Sequence, residues 1–222
     1  ALAPADFQAL GGTVAGNYLL PTTAVGNIGV ITPKLLDVTL TGTTSRAYDG
    51  TTNALLSGSN FNLSGLVGAD SIAIQTATGS YASPNVGNAI LVTANLGSAT
   101  LVAGGTTILS NYQLPLNASG NIGDITPKAL TLSLTGLVSK SYDGGVVAQL
   151  TAANYQVGGL AAGETIGVTQ AAGVYASRNA GTGIAVSATL SPTDFAAGAG
   201  TLLSNYLLPT AANGLIGVIS PK

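Results

Sequence analysis

The residues of this chain best suited to chemistry form two triplets, Tyr48-Asp49-Gly50 and Tyr142-Asp143-Gly144. A phenol beside a carboxylate could contact a ligand or a metal ion. Asp-Gly is also a strong turn signal, because Asp hydrogen-bonds the nearby backbone and Gly accepts a positive φ. A neighbouring Tyr can bury its ring while its hydroxyl stays hydrogen-bonded. We therefore predict that each triplet is a structural turn with a Tyr core anchor, with a ligand or metal contact as the alternative.

Two residue pairs also recur along the chain. Asn-Tyr occurs as Asn17-Tyr18, Asn111-Tyr112 and Asn205-Tyr206, and we expect it to end a strand at a further Tyr anchor. Pro-Lys occurs as Pro33-Lys34 and Pro127-Lys128, where Lys reads as a solvated linker residue. An alternative use of these residues is an isopeptide crosslink, with loss of one ammonia per module. The participants would be Lys34 or Lys128, Asn17 or Asn111, and Asp49 or Asp143.

The residue inventory argues against an enzyme or a metal protein. The chain has no His and no Cys, so it cannot form Ser–His or Cys–His nucleophile pairs or His-ligated metal sites. Its eight acidic residues show no spacing typical of calcium loops. Asp70 and Glu164 are equivalent acids just before a strand, and we expect them to be solvated turn residues. We predict no catalytic residue, no metal site and no cofactor.

The overall charge limits the partners. Charged residues make up 6% of the chain and the net charge is −2, which excludes a basic surface for nucleic acid. Gly, Thr, Ser or Asn interrupts every apolar stretch, so we predict no membrane span. The start of the sequence also lacks the features of a signal peptide.

An internal repeat sets the domain organisation. Each recurring motif returns after 94 residues, as in Asn17, Asn111 and Asn205. This period is too long for a solenoid rung and fits a small autonomous domain. We predict the C-terminal part of a preceding repeat at 1–34, followed by two complete modules at 35–128 and 129–222.

Short alternating segments between turn signals predict an all-β fold, and examples are 36–40, 71–75, 122–125, 130–134 and 183–187. Six or seven such strands per module favour small Ig-like β-sandwiches, with a strand-rich β-grasp fold as the alternative. No flexible spacer separates the modules, and Pro stiffens the link. Tandem modules should therefore form a rod.

The order of motifs resembles a known family. The chain carries Ser-Lys-Ser-Tyr-Asp-Gly at 139–144, Val-Tyr-Ala-Ser-Arg-Asn at 174–179 and Ile-Ser-Pro-Lys at 219–222, with counterparts one repeat earlier. This order is similar to the YDG-type repeat of filamentous-haemagglutinin-like bacterial adhesins, which often use two-partner secretion. The resemblance implies a secreted or cell-surface location and a stalk or extender role beside neighbouring repeats of the same chain.

Two other functions remain open. The low charge also suits a subunit of a self-assembling extracellular fibre or sheath, because an uncharged surface can pack against copies of itself. A carbohydrate- or surface-binding module, with a host or matrix glycan as partner, would need an exposed aromatic platform.

Overall fold

A computed structural model describes residues 1–222 and shows a chain built from strands. Its only helical elements are 3-10 turns of three residues: Pro4–Asp6, Ala15–Asn17, Gly58–Asn60, Leu109–Asn111, Ala152–Asn154, Pro192–Asp194 and Leu203–Asn205. Helices this short fall far below the length needed to cross a bilayer. The prediction of an all-β chain is confirmed.

Nine strands make up the first module: β1 (Lys34–Leu35), β2 (Asp37–Leu40), β3 (Thr44–Ala47), β4 (Asn53–Ser57), β5 (Phe61–Ser64), β6 (Ser71–Tyr81), β7 (Gly87–Gly104), β8 (Tyr112–Gln113) and β9 (Asn117–Thr126). Eleven make up the second: β10 (Lys128–Ala129), β11 (Thr131–Leu134), β12 (Val138–Ser141), β13 (Val147–Gln149), β14 (Tyr155–Gly158), β15 (Ile166–Val168), β16 (Ala172–Tyr175), β17 (Gly181–Thr189), β18 (Phe195–Ala197), β19 (Tyr206–Leu207) and β20 (Ala211–Ser220).

The two modules share one sheet order. The main sheet of the first runs β3-β9-β7-β6-β4, and that of the second runs β12-β20-β17-β16-β13. The last strand of each module pairs in parallel with β3 or β12 on one side and antiparallel with β7 or β17 on the other. Each main sheet is close to a barrel, and two domains in tandem fit this arrangement. The Ig-like sandwich and the β-grasp alternative stay predictions.

The alternating apolar and polar residues of the strands point alternately into the core and into solvent, as the sequence pattern predicts. In β2, Val38 and Leu40 are buried while Asp37 and Thr39 face solvent, because successive side chains of a strand point to opposite faces. Buried apolar residues of both modules form one connected cluster. The hydrophobic core therefore continues across the boundary between the modules.

Residues 1–33, termed here the leading segment, differ from the modules. They contain two 3-10 turns and no strand, and almost all of their side chains are exposed. The chain as a whole exposes 13270 Å² for a mass of 21.6 kDa. A single compact domain of this mass would expose about 9,200 Å². The larger area fits modules in series preceded by an exposed segment.

Candidate functional site at the module junction

The first Tyr-Asp-Gly triplet forms a tight turn after β3. The Asp49 carboxylate accepts hydrogen bonds from the Thr51 backbone N–H and hydroxyl, both at 2.8 Å, and Gly50 has a φ of +79°. Arg46 forms an ion pair with Asp49. Burial works to raise the pKa of Asp49, but the hydrogen bonds from Thr51 and Arg46 outweigh it, and the pKa is lowered.

The second triplet repeats this turn with different partners. Asp143 accepts hydrogen bonds from the Gly145 N–H at 2.9 Å and from Lys140 Nζ at 2.7 Å, and Gly144 has a φ of +75°. The hydrogen bond from Lys140 is the main reason that the pKa of Asp143 is lowered. Each Asp is thus engaged with a cation on the strand that precedes its turn, Arg46 of β3 or Lys140 of β12. The hydrogen bonds of Asp49 and Asp143 do not involve the Pro-Lys residues proposed for a crosslink.

Tyr48 leaves its own module and enters the second. Its side chain is only 4% exposed, and its hydroxyl donates a hydrogen bond to Glu164. Its ring meets the Tyr206 ring edge to face, with centroids 5.4 Å apart and an interplanar angle of 83°, a favoured aromatic geometry. The triplet therefore anchors a contact between modules, not only the core of one.

Glu164 is the centre of this contact. One carboxylate oxygen accepts the Tyr48 hydroxyl of the first module, and the other accepts the Tyr206 hydroxyl of the second. The Tyr206 oxygen in turn accepts the Ala161 N–H at 2.9 Å. Glu164 follows a turn just before a strand, as expected, but it is half-buried and both of its carboxylate oxygens accept phenol hydroxyls, so the expectation of a simply solvated residue is wrong.

Burial and the carboxylate together hold both phenols in the neutral form. Burial, followed by the hydrogen bond to Glu164, raises the pKa of Tyr206 to about 12. The same two causes, in the same order, raise the pKa of Tyr48. A neutral phenol can donate to a carboxylate, whereas a phenolate would repel it. The contact is therefore intact when both rings are protonated.

A pair of Asn side chains forms the second half of the contact. Asn205 is 1% exposed, donates from Nδ2 to the Asn85 side-chain oxygen at 3.0 Å and accepts the Val86 N–H at 3.0 Å. Hence the buried amide is satisfied entirely by the first module. Together, Tyr48, Asn85 and Val86 of the first module and Ala161, Glu164, Asn205 and Tyr206 of the second form the junction.

The covalent link across the junction is a single residue. β9 ends at Thr126 and β10 begins at Lys128, which pairs in parallel with Tyr206. Only Pro127 lies between them, and its ring fixes φ. Lys34 likewise begins β1 and pairs with Tyr112, after Pro33. Both Lys residues are thus strand residues of the following module, because the short parallel ladder includes them.

Residues one or two repeats away from those of the junction are more exposed. Tyr142 corresponds to Tyr48 and is 40% exposed. Asn111 is exposed and Tyr112 is half-buried, although their counterparts Asn205 and Tyr206 are buried. In the leading segment, Asn17 ends a 3-10 turn and Tyr18 is 64% exposed.

The arrangement joins the surfaces of the two modules. Nowhere in the chain do three acidic side chains cluster as a metal would require. The sequence interpretation did not assign Asn85, Ala161 or Glu164 to a contact. One usable signal was present, since Asp70 and Glu164 are acids spaced by one repeat in a chain with only eight of them.

Comparison with known proteins identifies the repeat. The YDG domain family matches residues 32–120 and again residues 126–213. Neither a curated protein nor a solved structure matched the chain. Because the two family matches cover most of its length, the chain belongs to the YDG domain family and carries two copies of the domain in tandem.

Proposed function

We propose that this chain is a stalk segment of a large secreted or cell-surface bacterial adhesin, without catalytic activity. The junction carries this proposal. A half-buried carboxylate shared by two phenols, a satisfied Asn pair and a one-residue Pro link would hold successive modules at a fixed angle. A stalk needs this property, because a flexible link would let the distal part fold back toward the cell.

The extracellular part of the proposal rests on the family and on composition. Two YDG domains occur in tandem, with the motif order that resembles filamentous-haemagglutinin-like exoproteins. The absence of Cys is compatible with an export route. A direct test is antibody labelling of intact cells of the source organism. Surface labelling is expected, and labelling only after lysis would contradict the location.

Stiffness can be measured with two spin labels. Because the chain has no Cys, Asn62→Cys and Gln156→Cys would place one label at equivalent exposed positions of β5 and β14. Pulsed electron paramagnetic resonance should give one narrow distance distribution. Adding Glu164→Ala should broaden it, and a broad distribution without that substitution would contradict the stalk proposal.

A fibre or sheath subunit is a second candidate, favoured by the charged fraction of only 6%. Ordered multi-chain filaments in negative-stain images would support it, and isolated thin particles would favour the stalk alone. A glycan-binding role would use Tyr48, Tyr81 and Tyr112 as an aromatic platform. It has less support, because Tyr48 and Tyr81 are 4% and 3% exposed and only Tyr112 is half-buried.

A further inference from the structure

The chain enters each module along one segment and leaves it along another that lies beside the first. In the first module the entry segment is 34–47, which contains β1, β2 and β3, and the exit segment is 112–126, which contains β8 and β9. β1 pairs with β8 and β3 pairs with β9, and both pairings are parallel. The corresponding segments of the second module are 128–141 and 206–220, with the same two parallel pairings. The two segments therefore run side by side in one direction in both modules.

The two segments also touch between these ladders. In the first module, the Leu36 N–H donates to the Gln113 carbonyl oxygen at 2.8 Å, directly after the first ladder. Further along, the Gly120 backbone of the exit segment packs against Leu40 of the entry segment, and a β-carbon added to Gly120 would lie 3.0 Å from Leu40 Cβ. The contact between the segments is therefore continuous from one ladder to the other.

Tension along the array would pull the two segments in opposite directions. The entry segment of the first module begins at Lys34, and the exit segment ends at Thr126. Because the segments are parallel, these two residues lie at opposite ends of the paired region. A pull on Lys34 and Thr126 therefore slides one segment along the other, and the hydrogen bonds between them must break together. Hydrogen bonds that are peeled from one end would break one at a time.

We propose that each module is a shear clamp, whose fold resists unfolding when the array is stretched end to end. This mechanical function goes beyond the stalk proposal and rests on it only for the source of the tension. Forced unfolding is governed by the rate of unfolding and not by equilibrium stability. The contacts that matter are therefore those that must break before the two segments can slide.

A buried tyrosine connects the two segments in each module. In the second module, Tyr175 is 2% exposed, and its hydroxyl donates to the Val138 carbonyl oxygen of the entry segment at 2.9 Å. Its ring lies against Gly217 of the exit segment, where an added β-carbon would be 2.7 Å from the ring. Tyr81 connects the two segments of the first module in the same way. Sliding of the segments must break both contacts of the tyrosine.

The exit segment is paired on its other edge as well. β9 pairs antiparallel with β7, and β20 pairs antiparallel with β17. The last strand of each module thus lies between two hydrogen-bonded neighbours of the main sheet. Tension on its end acts against two ladders at once, whereas the edge strands β4 and β13 lie outside the path of the force.

Single-molecule force measurements test the clamp, because the chain has no Cys and handles can be attached at introduced Cys residues. Ala1→Cys with Lys222→Cys applies tension end to end and should give two unfolding steps, one for each module. Ser141→Cys with Lys222→Cys opens the ladder between β12 and β20 from one end, because Ser141 pairs with Ser220. The second module should then unfold at a force several-fold lower. Equal forces in the two arrangements would overturn the proposal.

Two matched substitutions in the second module locate the clamp. Tyr175→Phe removes the hydroxyl that bonds to the entry segment. Tyr155→Phe removes a hydroxyl that donates to the Gln170 carbonyl oxygen, also at 2.9 Å, outside both segments. At constant end-to-end force, Tyr175→Phe should make one of the two steps about fivefold faster, the value of one hydrogen bond.

Tyr155→Phe should leave both steps unchanged under the same force, although urea unfolding should show both variants destabilised. The clamp is contradicted if the two substitutions accelerate forced unfolding equally, or if neither does.

Failure of the clamp and failure of the stalk proposal give different results. A chain that labels on the cell surface and keeps a narrow spin-label distance, but unfolds at equal force in both arrangements, is a stalk without a clamp. A chain without surface labelling would still show the difference in force, because the clamp depends only on the fold.

Discussion

Tyr48 and Tyr142 show that one motif has two separable roles. Both follow a strand, both precede an Asx turn, and Gly50 and Gly144 have φ values within 4° of each other. Yet Tyr48 is buried against Glu164 and Tyr206, while Tyr142 is 40% exposed. The Asp-Gly part forms a turn wherever it occurs, and the Tyr part contributes to stability only where a neighbouring module receives it.

Of all the substitutions, those of the two tyrosines should give the largest difference in stability between the two triplets. Tyr48→Ala removes a buried ring and a hydrogen bond, so we expect it to lower the free energy of unfolding by about 3–5 kcal/mol. Tyr142→Ala should cost less than about 0.5 kcal/mol, as surface substitutions do. Urea unfolding of both variants measures the difference, and equal losses would show that the junction adds nothing to stability.

High pH should open the junction while leaving the turns in place. The pKa of Tyr206 is raised from 10.0 to about 12, so the folded state favours the neutral phenol. The resulting stability is fully present below about pH 10 and is lost as pH rises through about 12. The contribution of this pKa difference to the free energy of unfolding is on the order of a few kcal/mol.

Tyrosinate absorbance can follow this transition. Wild-type protein should show a late titration step that coincides with a loss of unfolding free energy in urea. Tyr206→Phe should lose part of that late step. An unchanged titration curve in this variant would contradict the assignment.

Neutralising the central carboxylate should have a smaller effect. Glu164→Gln keeps the shape of the side chain but removes the charge that two phenols contact, and we expect a loss of about 2 kcal/mol. Asp70→Asn is the matched control, since Asp70 accepts one phenol, from Tyr112, beside the Thr107 hydroxyl of its own module, and it should be milder. Equal effects in urea unfolding would contradict a special role for Glu164.

Substitutions of the turn glycines, Gly50 and Gly144, should give the smallest difference in stability between the two triplets. Gly144→Ala forces a β-carbon into the left-handed region at a cost of about 1 kcal/mol. Gly50→Ala carries the same cost plus a close approach to Ala161, because an added β-carbon would lie 3.3 Å from the Ala161 side chain. Thermal unfolding should show both variants destabilised, Gly50→Ala slightly more. A neutral Gly144→Ala would contradict the positive φ.

Local patterns made the strands predictable, but not the junction. The alternating segments at 36–40 and 130–134 lie at or beside β2 and β11, and their expected inward residues are buried except for Leu132, which is half-buried. Glu164 could not be assigned in this way, since its partner Tyr48 lies 116 residues earlier. An acid beside a turn looks solvated unless the neighbouring module is already in place. The repeat period showed that the two positions were equivalent, but not that they touch across a boundary.

Close contacts of Gly with Tyr were also invisible in the sequence. A β-carbon added to Gly123 or Gly217 would lie 2.7 Å from the ring of Tyr81 or Tyr175. These rings donate their hydroxyls to the Thr44 and Val138 carbonyl oxygens at 3.1 and 2.9 Å. The Gly residues in the last strands are therefore required by the packing of a Tyr more than 40 residues away, not by a turn.

The leading segment shows which features depend on the local sequence alone and which depend on the tertiary structure. Its 3-10 turn at Pro4–Asp6 matches that at Pro192–Asp194, and in each the Asp carboxylate accepts an N–H three residues earlier. Such turns need only nearby residues, so the sequence alone sets them.

Unlike these turns, the burial of an apolar side chain is not set by the nearby sequence. Ile31 is 99% exposed, whereas Ile125 and Ile219 at the equivalent positions are 1% exposed in β9 and β20. Those two strands each lie between two hydrogen-bonded neighbours of a five-stranded sheet, whereas Ile31 lies in no strand. The sequence thus determined the all-β character, the repeat and the local turns. Only the tertiary structure decided which apolar residues form a core and which Tyr-Asp-Gly tyrosine joins two modules, because both outcomes require partners distant in the chain.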